Sequence, residues 1–215
     1  MMSVLTVAAA VVISTNSFWH CEKLDADGTS FSWTLTSRIG SMLYDAEQMF
    51  GSRDKSWTIL GCQYCRELEQ PENWYPGYPK RKDIVFNLCG KSDVDNDIAL
   101  LQLSHEVVHA LSPKVGVGAN VLEEGSAVWF SVWYVKKATG KDATKWLSKR
   151  YRYAYDKVSA LMNMDKSAVK KLRCVEPCFK NMTSETFKTA KLQIEQSLMR
   201  QLLEKFSELK IEEVR

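Results

Sequence analysis

The chain has 215 residues, 45% of them hydrophobic, with seven Trp. That suffices for one packed domain with, at most, a small helical addition. Its 29 basic and 26 acidic residues leave a net charge of +3, a near balance that gives no footprint for nucleic acid. Val4 to Ile13 is apolar and about the length of a signal-peptide core, yet no Lys or Arg precedes it. The run is too short to span a bilayer. Its β-branched end, Val11-Val12-Ile13-Ser14-Thr15, favours a buried strand and a cytoplasmic chain. A cleaved signal and a secreted chain are the alternative.

Asp25-Ala26-Asp27-Gly28 is turn chemistry. From Ser30 to Phe50, Leu35, Ile39, Met42, Leu43, Ala46, Met49 and Phe50 recur at helical spacing, and Gly51 ends the helix. Trp57-Thr58-Ile59-Leu60 reads as a strand. Residues 66–82 form a turn-rich loop whose Trp74, Tyr75 and Tyr78 cover the core, or else flank a cleft. Asp83 to Leu88 is a further strand. A helix over 97–111 follows, capped by Asp95, Asn96 or Asp97 and stopped by Pro113. A second helix runs from Val121 to Lys137, a third over about 142–161, and a short one over 166–173, capped by Asp165. The last helix extends from Thr183 to about Leu209 and packs across the domain or pairs with another subunit.

Arg150, Arg152 and Lys157 interleave with Tyr151, Tyr153 and Tyr155; this reads as the mixed face of a helix rather than a nucleic-acid surface. Of the six Cys, Cys62-x-x-Cys65 and Cys174-x-x-x-Cys178 have spacings found in zinc sites. A structural zinc and a disulfide are both open, but free thiols in a reducing cytoplasm are the expectation.

His105-Glu106-Val107-Val108-His109 is the most informative stretch. Residues i and i+4 of a helix share a face, so both imidazoles can reach one ion. Glu106 lies about 100° round from His105, within reach of a water that such an ion would acidify. With three His and 15 Glu in the chain, chance would give this pattern roughly once in 300 such sequences. The surrounding helix is apolar on nearly every face, so these polar groups need a partner. A third protein ligand is also required. The remaining His20 lies far upstream, but Leu122-Glu123-Glu124-Gly125-Ser126-Ala127 offers a carboxylate on the next helix.

Together, the His-Glu-x-x-His and Glu-Gly-x-Ala segments resemble those of the gluzincin zinc peptidases, over roughly residues 84–134. The resemblance implies an α+β fold: a small N-terminal mixed or antiparallel sheet, a zincin-like active-site helix and a helical C-terminal half. The whole of 1–215 would be one domain, with 165–215 as a candidate helical appendage. It implies one Zn2+ per chain held by His105, His109 and Glu124, with Glu123 as the fallback ligand. Glu106 would be the general base in hydrolysis of a peptide or protein substrate. An oxyanion donor would come from Tyr134, Tyr151, Tyr153, Tyr155 or His20, with Tyr155 the choice made here. The resemblance also implies an edge strand that pairs with extended substrate, assigned to Asp83–Leu88; an interior strand is the alternative. A catalytically silent metal-containing module that binds or regulates a protein is the rival function, and Glu106 argues against it.

Overall fold

The structure is a computed structural model that describes residues 18–24 and 30–210. The apolar run Val4–Ile13 and the turn Asp25–Gly28 lie outside these residues. The fold is α+β. Helix α1 (Leu35–Phe50) opens with Thr34, whose side chain accepts from Ser37 N–H, and buries Leu35, Ile39, Met42, Ala46 and Phe50 along one stripe. Gly51 leaves it at φ 93°, a region that side chains disfavour.

Strands β1 (Thr58–Tyr64), β2 (Glu72–Trp74) and β3 (Asp83–Leu88) form one mixed sheet in the order β1-β3-β2. β3 runs parallel to β1 and antiparallel to β2. The expectation of an edge strand at Asp83–Leu88 is therefore corrected: β3 is interior. Its near-continuous apolar run has the physical cause usual for central strands, with Ile84, Phe86 and Leu88 fully buried. The edge beside the motif helix is β2, three residues within a stretch that reads as loop. Tyr75 and Tyr78 of that stretch pack on Trp57, at ring-centroid distances of 5.3 and 5.9 Å.

Helix α2 (Asn96–His109) carries the motif; Asp95 caps it by accepting from Asp97 and Ile98 N–H. It packs against α1, α3 (Val121–Thr139) and β3, which explains its lack of a polar face. Asn120 caps α3 by accepting from Glu123 N–H, and Gly140 ends it at φ 75°. The third predicted helix begins later than expected, because a 3-10 turn occupies 143–146 and α4 runs over Lys149–Met164. Helix α5 (Ala168–Val175) follows. Arg173 on it is 4% exposed and donates to the carbonyls of Phe50, Gly51, Ser52, Leu111 and Pro177. Burial brings its pKa down to about 10, and the five carbonyls satisfy its charge while tying the ends of α1 and α2 to α5.

The long last helix is also corrected. The chain forms α6 (Ser184–Thr189), a turn with Lys191 at φ 56°, α7 (Gln196–Leu203) and a 3-10 turn over 206–208. No Gly or Pro marks this break; packing of Leu192 and Ile194 against the core accompanies it. Val169, Leu172, Phe187 and Leu202 from this C-terminal stretch sit in the same core as α1–α4. The chain then returns to the start of α3: Val121 N–H donates to Glu204 and Phe206 N–H to Ala119. No helix among the described residues is long and apolar enough to cross a membrane. The basic residues of α4 serve the fold: Arg152 donates to the Thr144 carbonyl, and Lys157 sits over the Tyr153 ring.

Gly125 sets the approach of α4 to α3. A Cβ there would collide with the Ala154 carbonyl oxygen and lie 2.6 Å from Val158 Cγ2. Gly125→Ala is accordingly expected to destabilise the fold by about 1–3 kcal/mol, read as a lower denaturant midpoint. An unchanged midpoint would contradict this packing.

Candidate metal centre

The motif folds as its spacing requires. His105 and His109 lie one turn apart on α2, and their Nε2 atoms point at each other across 3.1 Å. Glu124, in the first turn of α3, faces both rings: its Oε2 is 3.3 Å from His105 Nε2 and its Oε1 3.7 Å from His109 Nε2. One donor atom from each of the three residues lies within 4.8 Å of the others. The group is close enough to bind a metal ion, and a mixed imidazole and carboxylate set suits a divalent transition metal. Glu124 Oε2 is buried and makes no hydrogen bond, which leaves it available to a cation.

Glu123 does a different job. Its Oε1 accepts from His109 Nδ1 at 2.9 Å and the residue is only 2% exposed. This carboxylate orients the ring and holds a proton on Nδ1, so that Nε2 is the nitrogen a metal would take once its own proton is displaced. Lys180 Nζ approaches the same carboxylate at 3.9 Å and donates to the Lys114 carbonyl.

Electrostatics follow from this crowding. Burial disfavours a charged His109, but Glu124 and the hydrogen bond that His109 donates to Glu123 outweigh it and push its pKa up to about 10. Burial alone would raise Glu124, yet His109, His105 and Lys180 bring it below the usual carboxylate value. Burial pushes the Glu106 carboxyl up, against the pull of His109 and His105, and Glu124 and Glu72 add to the rise. Glu106, Glu123 and Glu124 carry three negative charges when ionised and Lys180 one positive charge. All four line one cavity of about 230 Å3 together with Glu72, a carboxylate-rich setting that favours a cation.

The same cavity is lined by His105, His109, Tyr75 and Tyr151. Of the predicted oxyanion donors, only Tyr151 stands here, its ring edge-on to His105 at 5.8 Å. Burial first, then Glu124 and Glu106, raises its phenol pKa, so it stays a neutral donor. Tyr155 does not line the cavity; its ring lies 5.9 Å from the Arg152 guanidinium. Tyr134 approaches Ser41, Tyr153 packs with Lys157, and His20 is exposed. Tyr75, one of the loop aromatics given the alternative of flanking a cleft, lines this cavity; its phenol is pushed up to about 12, chiefly by burial, with Glu106, Glu123 and Glu72 adding to the rise. Sequence reasoning missed Asn73, which donates to the Glu106 carbonyl at 3.2 Å, and Lys180. No local motif flags either. The six Cys are unpaired.

No family model, no curated protein and no solved structure matches this chain.

If Glu123 orients His109, Glu123→Ala should weaken binding of zinc, used as the probe ion, roughly 10–100-fold in a chelator competition. Glu124→Ala should lose more. Equal affinity of Glu123→Ala and wild type would remove the orienting role.

Proposed function

We propose that the protein is a zinc-dependent peptidase. The observation that carries this reading is the convergence of His105, His109 and Glu124 on one point, with the Glu106 carboxyl in the same cavity. The resemblance of the two motif segments to gluzincins agrees with it. His105 and His109 would present Nε2 and Glu124 its carboxylate as ligands. Bound zinc would lower the pKa of a water and polarise the scissile carbonyl.

The chain's own residues supply the rest. Glu106, on the next residue from a ligand, is placed to accept the proton of the attacking water on a carboxylate oxygen. It then returns that proton to the departing amine nitrogen. Its raised pKa suits a group that must both take and give a proton. The Tyr151 hydroxyl is the preferred donor to the oxygen that gains negative charge, because its raised pKa keeps the proton in place. Tyr75 is the second such group.

Substrate has a track. β2 pairs with β3 on one side, and among the described strands none pairs with its other side. Gln70, Pro71, Glu72 and Asn73 line the cavity that holds Glu106. An extended peptide adding to this edge would pass its carbonyl over the metal ligands. The edge role expected of Asp83–Leu88 thus passes to β2.

Metal analysis of purified protein should give about one zinc per chain, and His109→Ala should lose most of it. Glu106→Gln should keep zinc and fold yet abolish hydrolysis of a peptide library. Full zinc in His109→Ala, or undiminished hydrolysis in Glu106→Gln, would overturn the assignment.

A Tyr151 donor that acts on the transition state predicts a split between kinetic constants. Tyr151→Phe should lower kcat roughly 10²–10³-fold with little change in KM. Tyr155→Phe should leave both near wild type. The reverse ranking would return the role to Tyr155.

A further inference from the structure

Beside the metal centre lies a second cavity of about 420 Å3, within the ~300–1,000 Å3 range of small-ligand sites. It shares Gln70, Pro71, His105 and Tyr151 with the polar cavity, so the two adjoin along the His105–Tyr151 edge. Their linings differ in kind. The first holds Glu72, Glu106, Glu123, Glu124 and Lys180. The second is walled chiefly by Leu101 of α2, Val128 of α3, Trp146 and Leu147 before α4, Tyr151 of α4 and Phe206 of the C-terminal segment, with the uncharged polar Gln102, Ser131 and Ser148 and the charged Arg150 among them.

The Phe206 wall is fixed in advance. Its ring lies 5.2 Å from that of Tyr151, and the Arg150 guanidinium sits over it at 4.7 Å. Arg150 also donates to the Phe206 carbonyl, while Phe206 N–H donates to Ala119 at 3.0 Å. Lys205 bridges to Asn120, the cap of α3. Arg150, a charged side chain of this wall, is thereby held against Phe206, while its Nε makes no hydrogen bond. A preformed apolar wall needs little ordering when a ligand enters.

We propose that this cavity is a side-chain pocket that selects a bulky apolar residue, of the size of Leu or Phe, next to the bond to be cleaved. The inference rests on the peptidase reading. A peptide lying along Gln70 to Asn73 borders both cavities, so its reacting carbonyl and one neighbouring side chain can be served at once. The aromatic and aliphatic walls reward burial of apolar surface, and no Asp or Glu lines the cavity to meet a basic side chain. Phe206 and Trp146 are the specificity-determining residues, and neither belongs to a metal-binding motif.

The test uses the zinc-loaded full chain and the hydroxamates of glycine, alanine, leucine and phenylalanine, with affinity measured by calorimetry. The hydroxamate anchors each probe at the metal, so differences report the side chain. The leucine and phenylalanine compounds should bind roughly 10–100-fold tighter than the glycine compound. Leu147→Trp, which narrows the cavity, should erase that preference while zinc content and circular dichroism stay as in wild type. Trp146→Ala, should the first variant not fold, should reduce the phenylalanine preference. Equal affinities across the series in wild type would overturn the pocket and leave the metal centre standing. If no hydroxamate binds to protein that holds its zinc, the open metal position fails. The peptidase reading and the pocket then fall together.

Discussion

Two apolar helices meet with charged ends, and the rest of the site follows from that meeting. Glu123 and Glu124 lie in the first turn of α3, where exposed N–H groups favour negative charge; His109 lies in the last turn of α2, where carbonyls favour positive charge. Each helix terminus thus supports the groups it carries. The 2.9 Å hydrogen bond from His109 to Glu123 joins the termini. An isolated carboxylate buried here would cost several kcal/mol. The arrangement is tolerable because every charge has an opposite neighbour, and a bound cation would complete the balance.

Adjacent residues of α3 divide their labour through helical geometry. They point about 100° apart, so Glu124 can face both Nε2 atoms while Glu123 reaches the far nitrogen of His109. Gly125 has a separate task on the face turned to α4. The absence of a side chain there lets α4 close on α3, and Ala154 of α4 makes the contact. Tyr151 sits one turn before Ala154, so this close approach also brings the phenol to His105. Within three residues, Glu-Glu-Gly orients a candidate ligand, supplies another and admits the helix that bears the candidate donor. The Gly of the motif is explained by packing, not by turn geometry.

The parts of this structure that were legible in the sequence are those whose determinants are local. His105 and His109 share a face because of a four-residue spacing. Asp95 caps α2 through a side chain only a few residues from the N–H groups from which it accepts. Glu124 could be preferred over Glu123 only through resemblance, since the angle between neighbours does not say which one faces the metal. β2 was invisible because three residues between Pro71 and Tyr75 carry no alternation to read. The break at Lys191 was invisible because helix-forming residues surround it and tertiary packing decides against them. The choice of Tyr155 over Tyr151 failed to reach the cavity for a related reason. Both lie on α4 one turn apart, and only the contact at Gly125 decides which turn stands over the metal ligands.

The two cavities draw on different depths of the chain. The polar cavity takes its metal-ligand set from two neighbouring helices, within twenty residues of sequence from His105 to Glu124. Such a set survives as a motif because its geometry is written in helical spacing. The apolar cavity assembles α2, α3, the 143–146 turn region, α4 and residue Phe206, which is more than eighty positions beyond Glu124. Its shape depends on where the C-terminal segment is anchored at the cap of α3, so no short pattern announces it. The same anchor links the two cavities physically. Glu204 and Phe206 bond to the backbone at Ala119 and Val121, immediately before Glu123 and Glu124. Displacing that segment would therefore both unwall the apolar cavity and loosen the helix start that holds Glu123 and Glu124.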